Sequence, residues 1–260
     1  MPTPKNTLFI IGIGPGKDDL LTIAAKEALA QAKVILGYRT YLAQIAHLIR
    51  GKEVRATSMM EEVKRAQEAL ALAEKNGPVA LVSGGDPAIY GMSAPVFEVL
   101  AARRRPYHVR IEIIPGVTAA CAAAARLGAP LSNDCALISL SDRLTPWEQI
   151  TRRIRLATEG DFVLVFYNPK SKRRKNQLKE ALEIVAHRRP PDTPLALVKG
   201  AWREEEKIVL TTLAEKERIS ALADMSSLII IGNSQSKLID DFFLTPRGYG
   251  EKYRLTDEKA

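Results

Sequence analysis

The chain has 260 residues, of which 46% are hydrophobic and 26% charged, and its formal net charge is +8 at pH 7. These values exclude a largely disordered chain, and the length allows one large domain or two modest ones, each with a real core. Two cysteines are too few for an iron–sulfur cluster, a four-cysteine zinc site or a disulfide-stapled secreted domain, so a cytoplasmic protein is expected.

Short β-branched or apolar runs alternate with helical patterns along the whole chain, which is typical of an α/β protein with largely parallel or mixed sheets. The runs predict strands at residues 8–11, 34–36, 53–56, 79–82, 109–113, 136–140, 162–166, 195–198, 207–211 and 228–231. Helical periodicity predicts helices at residues 23–32, 60–75, 94–102, 119–126, 147–157 and 175–187. Ten strands suggest two sheets rather than one.

The predicted domain boundary lies at residues 114–116, where the fifth strand ends and an alanine-rich helix follows. We therefore expect an N-terminal α/β domain over 1–114 and a C-terminal α/β domain over 115–249. The tail at 250–260 is short and charged, has no strand or helix pattern, and is expected to be flexible. Because no apolar run is long enough to span a membrane and the first residues lack a signal-peptide pattern, neither membrane insertion nor export is expected.

Three glycine-containing loops follow predicted strands, where open parallel sheets bind their ligands. The first, GIGPG at 12–16, fits neither a dinucleotide fingerprint nor a phosphate-binding P-loop, so it is either a ligand-facing turn or a plain connection. The second, SGGDPAIYGM at 83–92, has more glycine than a connection requires, and Asp86 either caps a turn or accepts a hydrogen bond from a ligand. The third, PGVTAA at 115–120, places small residues at the start of a helix.

Taken together, these loops resemble the tetrapyrrole methylases, the class III methyltransferases that use S-adenosylmethionine. Four segments carry the resemblance: SGGDPAIYGM at 83–92, ISLSDRLTPWE at 138–148, FYNPKSKRR at 166–174, and IIIGNSQ with LTPRGY within 229–249. Within that family they are most similar to the C(17)-methyltransferases that act on precorrin-3B or cobalt-factor III in cobalamin biosynthesis. The resemblance therefore implies methyl transfer to C(17) with contraction of the macrocycle.

The resemblance also implies two α/β domains with the active site in the cleft between them, in a homodimer, and no catalytic metal. Matching positions imply that S-adenosylmethionine is bound by Pro15, Gly84, Gly85, Asp86, Ile89, Thr118, Ala119, Asn168 and Ala201. The sequence leaves open whether the substrate contains cobalt, because that metal travels with the substrate and needs no protein ligand.

The implied tetrapyrrole substrate carries several carboxylates, which basic residues at strand ends would bind. Arg39 and Lys170 are expected to fill this role, the first through a bidentate guanidinium and the second as a mobile point charge. Contraction of the macrocycle would be helped by removal of a proton, for which Tyr38 and Tyr90 are candidates; either is equally a substrate contact. Cys121 and Cys135 are expected to be buried thiols that pack as small hydrophobic side chains.

Other interpretations remain open at this point. The chain fits another class III methyltransferase, such as a different precorrin methylase or a ribosomal RNA methylase, and it also fits a non-catalytic module that binds an adenine-containing ligand. The basic run at 170–175 is typical of phosphate binding. Aromatic residues are only 6% of the chain and are not interleaved with that run, so no nucleic-acid partner is expected.

Overall fold

The computed structural model describes residues 6–103, 108–171 and 173–255. The chain divides into two compact units, unit 1 up to Ala119 and unit 2 from Ala120 onward. The boundary predicted at 114–116 lies shortly before this division. Lys172, which belongs to the basic run, and residues 256–260 of the expected tail lie outside the described residues.

Unit 1 is built on a five-stranded parallel sheet with the strand order β3-β2-β4-β1-β5. Its strands are β1 (Thr7–Gly12), β2 (Val34–Tyr38), β3 (Glu53–Thr57), β4 (Val79–Ser83) and β5 (Arg110–Ile114). Its helices are α1 (Ile23–Gln31), α2 (Arg39–Gln44), α3 (Glu62–Asn76) and α4 (Ser93–Ala102). Because β1 and β4 are buried on both faces, their sequences are nearly continuous apolar runs.

Alternate residues of β1 point to opposite faces of this sheet, and each face has its own core. Phe9 and Ile11 belong to a cluster that includes Leu29 of α1. Leu8 and Ile10 belong to a second cluster, which includes residues of α3 and α4. With both faces covered by helices, the strand ends are the part of the sheet at which its backbone is accessible to a ligand.

Unit 2 contains a five-stranded mixed sheet in the order β10-β9-β11-β8-β7 and a three-stranded sheet in the order β12-β13-β6. Its strands are β6 (Gly128–Ala129), β7 (Cys135–Ser139), β8 (Val163–Tyr167), β9 (Pro194–Lys199), β10 (Lys207–Thr212), β11 (Ser227–Ile231), β12 (Lys237–Ile239) and β13 (Phe242–Leu244). Its helices are α5 (Ala119–Leu127), of which the first residue belongs to unit 1, and α6 (Trp147–Glu159), α7 (Gln177–Ala186), α8 (Lys216–Leu222) and α9 (Tyr249–Lys252). In the larger sheet only β7 and β8 pair in parallel, and the core over it includes Phe166, Ile150 and Leu182.

The ten predicted strands and six predicted helices all occur, with ends shifted by at most two residues. The elements that were missed are short, with too few residues for a periodic pattern to be visible: β6, β12, β13, α2, α8 and α9. The short helix α9 lies at Tyr249–Lys252, at the start of the tail, where the sequence shows no helical pattern.

The expectation that both cysteines are buried was also wrong, because Cys121 and Cys135 are exposed. In α5 the buried positions are instead taken by Ala120, Ala122, Ala123 and Leu127. Cys135 is the first residue of β7, an edge strand of its sheet, and such a position has a neighbouring strand on one side only. Among the residues that the structure describes, no helix has both the length and the apolar character needed to cross a membrane.

Candidate active site

The carboxyl-terminal edge of the unit 1 sheet gathers the three glycine-containing loops identified in the sequence. Loop 1 (12–16), loop 2 (84–92) and loop 3 (115–118) follow β1, β4 and β5, which are adjacent strands. Loops 1 and 2 are joined by two backbone hydrogen bonds: the Gly14 amide donates to the Gly85 carbonyl over 3.1 Å, and the Gly85 amide donates to the Gly14 carbonyl over 2.9 Å. The sheet topology thus brings together residues that are about a hundred positions apart in the chain.

Gly12 and Gly85 are required for different reasons. A Cβ at Gly12 would lie 2.6 Å from the carbonyl oxygen of Gly85 and 2.8 Å from the amide nitrogen of Gly116, so the backbones of the three loops touch directly. A Cβ at Gly85 would meet nothing closer than 3.8 Å, but the φ of +63° at this residue lies in the left-handed region that favours glycine. Glycine is therefore needed at residue 12 because neighbouring backbone atoms are too close for a side chain, and at residue 85 because of its backbone conformation.

Both oxygens of the Asp86 carboxylate accept hydrogen bonds, one from within loop 2 and one from loop 3. Oδ1 accepts a hydrogen bond from the Ala88 amide over 2.8 Å, and Oδ2 accepts one from the Gly116 amide over 3.1 Å. The carbonyl of Asp86 also accepts a bond from the Ile89 amide over 3.3 Å. Asp86 is therefore the turn cap that the sequence allowed, and any contact of its carboxylate with a ligand would use the lone pairs that these bonds leave.

The other predicted cofactor residues of unit 1 lie beside these loops. Pro15 is buried within loop 1. The backbones of Thr118 and Ala119 are the nearest neighbours of the position that a Cβ on Gly85 would occupy, each at 3.8 Å. The structure therefore brings the small residues at the start of α5 next to the glycine pair of loop 2.

A tyrosine pair supports loop 2 from β2 and α2. A Cβ at Gly84 would lie 2.6 Å from two carbon atoms of the Tyr41 ring, so this ring packs directly on the glycine backbone. The Tyr38 ring meets Tyr41 edge-on, with their centroids 5.5 Å apart. Tyr38 is half-buried, whereas Tyr90 is exposed and has a φ of +52°. Of the two candidate proton-transfer residues, Tyr38 ends β2 and Tyr90 lies in the loop after the neighbouring strand β4. Tyr41 is a support that the sequence did not reveal.

Two guanidinium groups reach Ser58, the residue that follows β3. Nη2 of the exposed Arg39 donates to the Ser58 hydroxyl over 3.1 Å, and Nη2 of the buried Arg65 donates to the Ser58 carbonyl over 2.8 Å. Arg65 also contacts the Met92 sulfur over 3.3 Å, and desolvation lowers the pKa of its guanidinium below the usual range. Sequence reasoning missed Arg65, although its position within the apolar stripe of α3 was a signal that it is buried.

In unit 2 the predicted cofactor residue Asn168 directly follows β8. Its backbone φ is +52°, and its side-chain amide donates to the hydroxyl of Ser139, the last residue of β7, over 3.0 Å. The guanidinium of Arg174 donates to the Asn168 carbonyl over 3.3 Å and to the Ser141 hydroxyl over 3.0 Å. These bonds hold the carboxyl ends of two adjacent parallel strands together.

The other two predicted site residues of unit 2, Lys170 and Ala201, are positioned by different contacts within that unit. The Lys170 ammonium donates to the carbonyl of Ser220 in α8 over 3.1 Å, so it is held within unit 2 while retaining two further donors. Ala201 belongs to the turn after β9, which is fixed because the Trp202 indole donates to the carbonyl of Ala122 over 3.0 Å. Among the described residues, no group of three His, Cys, Asp or Glu side chains is arranged to hold a metal ion.

Comparisons with known proteins agree on one family. Residues 7–217 match the model described as Tetrapyrrole (Corrin/Porphyrin) Methylases. A Priestia megaterium protein named cobalt-factor III methyltransferase is 44% identical over 96% of this chain and 46% of its own length. A Sinorhizobium protein named precorrin-3B C(17)-methyltransferase is 41% identical over 94% of this chain and 97% of its own length. The chain thus spans about half the length of the first relative and nearly all of the second.

A solved structure shows the same fold. The crystal structure of the methyltransferase CobJ matches this chain with a TM-score of 0.87 and 36% sequence identity, and the match covers 92% of this chain and 99% of that one.

Proposed function

The chain belongs to the tetrapyrrole methylase family, and from this premise we propose that it transfers a methyl group from S-adenosyl-L-methionine to C(17) of a cobalamin precursor, with contraction of the macrocycle. The observation that carries the proposal is sustained identity, of 41% and 44% over nearly the whole chain, with proteins named for this chemistry. One is named for precorrin-3B and the other for cobalt-factor III, so both compounds are proposed substrates to be compared.

The chemistry of loops 1 to 3 fits S-adenosylmethionine, the methyl donor of this family. Apart from Asp86, these loops carry no side chain that is charged at neutral pH. A phosphate ligand would favour a cation there, whereas a sulfonium ligand is better served by neutral backbone carbonyls and one carboxylate. The donor would be held in unit 1 by the backbones of Gly84 and Gly85 and by neighbouring residues of these loops, namely Pro15, Asp86, Ile89, Thr118 and Ala119. Unit 2 would contribute Asn168 and Ala201.

When bound, S-adenosylmethionine supplies a methyl group that is already activated for displacement, so the protein chiefly has to position the acceptor carbon. In well-oriented reactions, such positioning lowers the activation barrier by about 7–11 kcal/mol. We propose that Arg39 and Lys170 bind substrate carboxylates, and that Tyr38 or Tyr90 moves the proton associated with ring contraction. The exposed guanidinium of Arg39, which has the Ser58 hydroxyl as a partner, keeps further donors for a carboxylate.

A homodimer in the cytoplasm completes the proposal. Light scattering should then report the mass of two 28.6-kDa chains. A monomer at micromolar concentration would contradict this part of the proposal and leave the chemistry untouched.

The activity is tested by incubating the protein with trideuteromethyl S-adenosylmethionine and, separately, precorrin-3B or cobalt-factor III. Mass spectrometry should find one labelled methyl group in the product from at least one precursor, together with a changed absorbance spectrum. Ribosomal RNA in parallel reactions serves as the competing acceptor, and S-adenosylhomocysteine serves as the inhibitor control. Label in the RNA and in neither tetrapyrrole would overturn the proposal in favour of an RNA methylase.

A further inference from the structure

Arg174 lies at the carboxyl end of β7 and β8, yet its side chain hardly reaches solvent. The residue is 5% exposed, and its guanidinium donates to the Ser141 hydroxyl, the Asn168 carbonyl and, over 3.9 Å, the Met225 sulfur. Ser141 belongs to the loop after β7, and Asn168 begins the loop after β8. Because β7 and β8 are parallel neighbours, one guanidinium clamps two strand-end loops together.

The clamp acts on a backbone conformation that a non-glycine residue adopts at some cost. Asn168 has a φ of +52°, in the left-handed region, which asparagine tolerates better than most residues. Its side chain is held by the Ser139 hydroxyl and its carbonyl by Arg174. The orientation of the Asn168 peptide group is therefore fixed from both sides.

The hydrogen-bonding capacity of the buried Arg174 guanidinium is only partly used. Burial lowers the pKa of its guanidinium, and among the described residues its Nε has no hydrogen-bond acceptor. A desolvated cation with an unused donor is costly to keep in a folded protein.

Arg189 provides a matched comparison within the same unit. It is 6% exposed, its Nε likewise lacks an acceptor among the described residues, and its guanidinium donates to the carbonyls of Gly232 and Phe162, the latter over 2.6 Å. Phe162 precedes β8, whereas Asn168 follows it. The two arginines are therefore similarly buried, and each donates to a backbone carbonyl beside β8, but at opposite ends of that strand.

We propose that Arg174 is a positioning residue for methyl-donor binding, acting through the Asn168 peptide group that it holds. The inference rests on the proposed function, in which Asn168 contacts S-adenosylmethionine. Arg189 has no such role, so the two arginines should affect folding similarly and ligand binding differently.

The test measures the dissociation constants of S-adenosylmethionine and S-adenosylhomocysteine by calorimetry, and the melting temperature of each variant. Arg174→Met should weaken both ligands about ten-fold, the usual effect of one lost hydrogen bond to a charged group. Arg189→Met should lower the melting temperature to a similar extent and leave both affinities within two-fold of wild type. Arg174→Lys, which cannot reach both acceptors, should give an intermediate affinity.

A double variant that also replaces Asn168 distinguishes a positioning role of Arg174 from a general loss of rigidity in unit 2. If Arg174 acts through Asn168, the double variant Arg174→Met with Asn168→Ala should bind no more weakly than Asn168→Ala alone, within two-fold. The effects of Arg189→Met and Asn168→Ala should multiply instead. If Arg174→Met does not fold, the same ligand affinities are measured with Arg174→Lys and Ser141→Ala instead. Wild-type affinity in the Arg174 variants, or independent effects at residues 174 and 168, would overturn the inference, whereas absence of ligand binding by the wild type would overturn the proposed function.

Discussion

Replacement of Gly12 by alanine tests whether direct backbone contact between loops 1, 2 and 3 builds the methyl-donor site. The new Cβ would lie 2.6 Å from the Gly85 carbonyl oxygen, which is 0.8 Å inside the 3.4 Å at which ordinary contact begins. Overpacking of this kind costs about 1–3 kcal/mol of the free energy of unfolding. A displacement approaching 1 Å in a positioning loop lowers activity by up to about 100-fold, so affinity for S-adenosylmethionine should fall at least about ten-fold.

Gly51→Ala is the matched control for Gly12→Ala. A Cβ at Gly51 would find nothing within 4 Å, but its φ of +80° makes the substitution strained, at about 1–2 kcal/mol. Chemical unfolding should therefore detect destabilisation in both variants, while calorimetry should detect weaker ligand binding in Gly12→Ala alone. Wild-type affinity in Gly12→Ala would show that the three loops do not act as one site.

Three further predictions concern other contacts. Asp86→Ala removes one hydrogen bond within loop 2 and one that joins loop 2 to loop 3. It should weaken S-adenosylmethionine binding about ten-fold in equilibrium dialysis, with Asp86→Asn in between; an unchanged dissociation constant would limit this residue to turn formation. Arg39→Ala and Lys170→Ala should each raise KM for the tetrapyrrole about ten-fold in steady-state assays without changing the affinity for S-adenosylmethionine. An unchanged KM in both variants would exclude Arg39 and Lys170 as residues that bind the substrate carboxylates. Partial burial raises the pKa of Asp224, but hydrogen bonds from Lys199 and two serines outweigh it and lower that pKa from 3.8 to about 2. Asp224 therefore stabilises the fold above pH 3.8 and loses this effect as the pH falls through about 2. Because its side chain is 42% exposed, the wild type should be only about 1 kcal/mol more stable than Asp224→Asn in urea unfolding at pH 7. A stability difference that persists below pH 2 would contradict this assignment.

The strands and the three glycine loops could be predicted from the sequence because their signals are local. The strands β1 and β4 are continuous apolar runs, and the glycines that follow them mark turns at the strand ends. Parallel pairing then requires that these turns share one edge of the sheet. The local sequence did not reveal which atoms touch there, since the contact of Gly12 with Gly85 and Gly116 depends on the register of three strands.

Buried charges and supporting side chains were harder to foresee. Arg65 and Arg174 are charged residues that normally lie on the surface, and their burial depends on acceptors supplied by other segments, such as Ser58 and Asn168. Tyr41 belongs to the short α2, which has too few residues for a recognisable pattern. The side chains that shape the candidate site are thus set by tertiary contacts, whereas the loops themselves are set by local sequence.

The position of the transferred methyl group in the product identifies the carbon on which the protein acts. The protein should be incubated with S-adenosylmethionine carrying a ¹³C-labelled methyl group and with the tetrapyrrole precursor that supports turnover, and the product should be examined by ¹³C NMR. The label is expected on C(17) of a contracted macrocycle. A labelled methyl group at any other carbon, or on a nitrogen or oxygen atom, would contradict the proposed function.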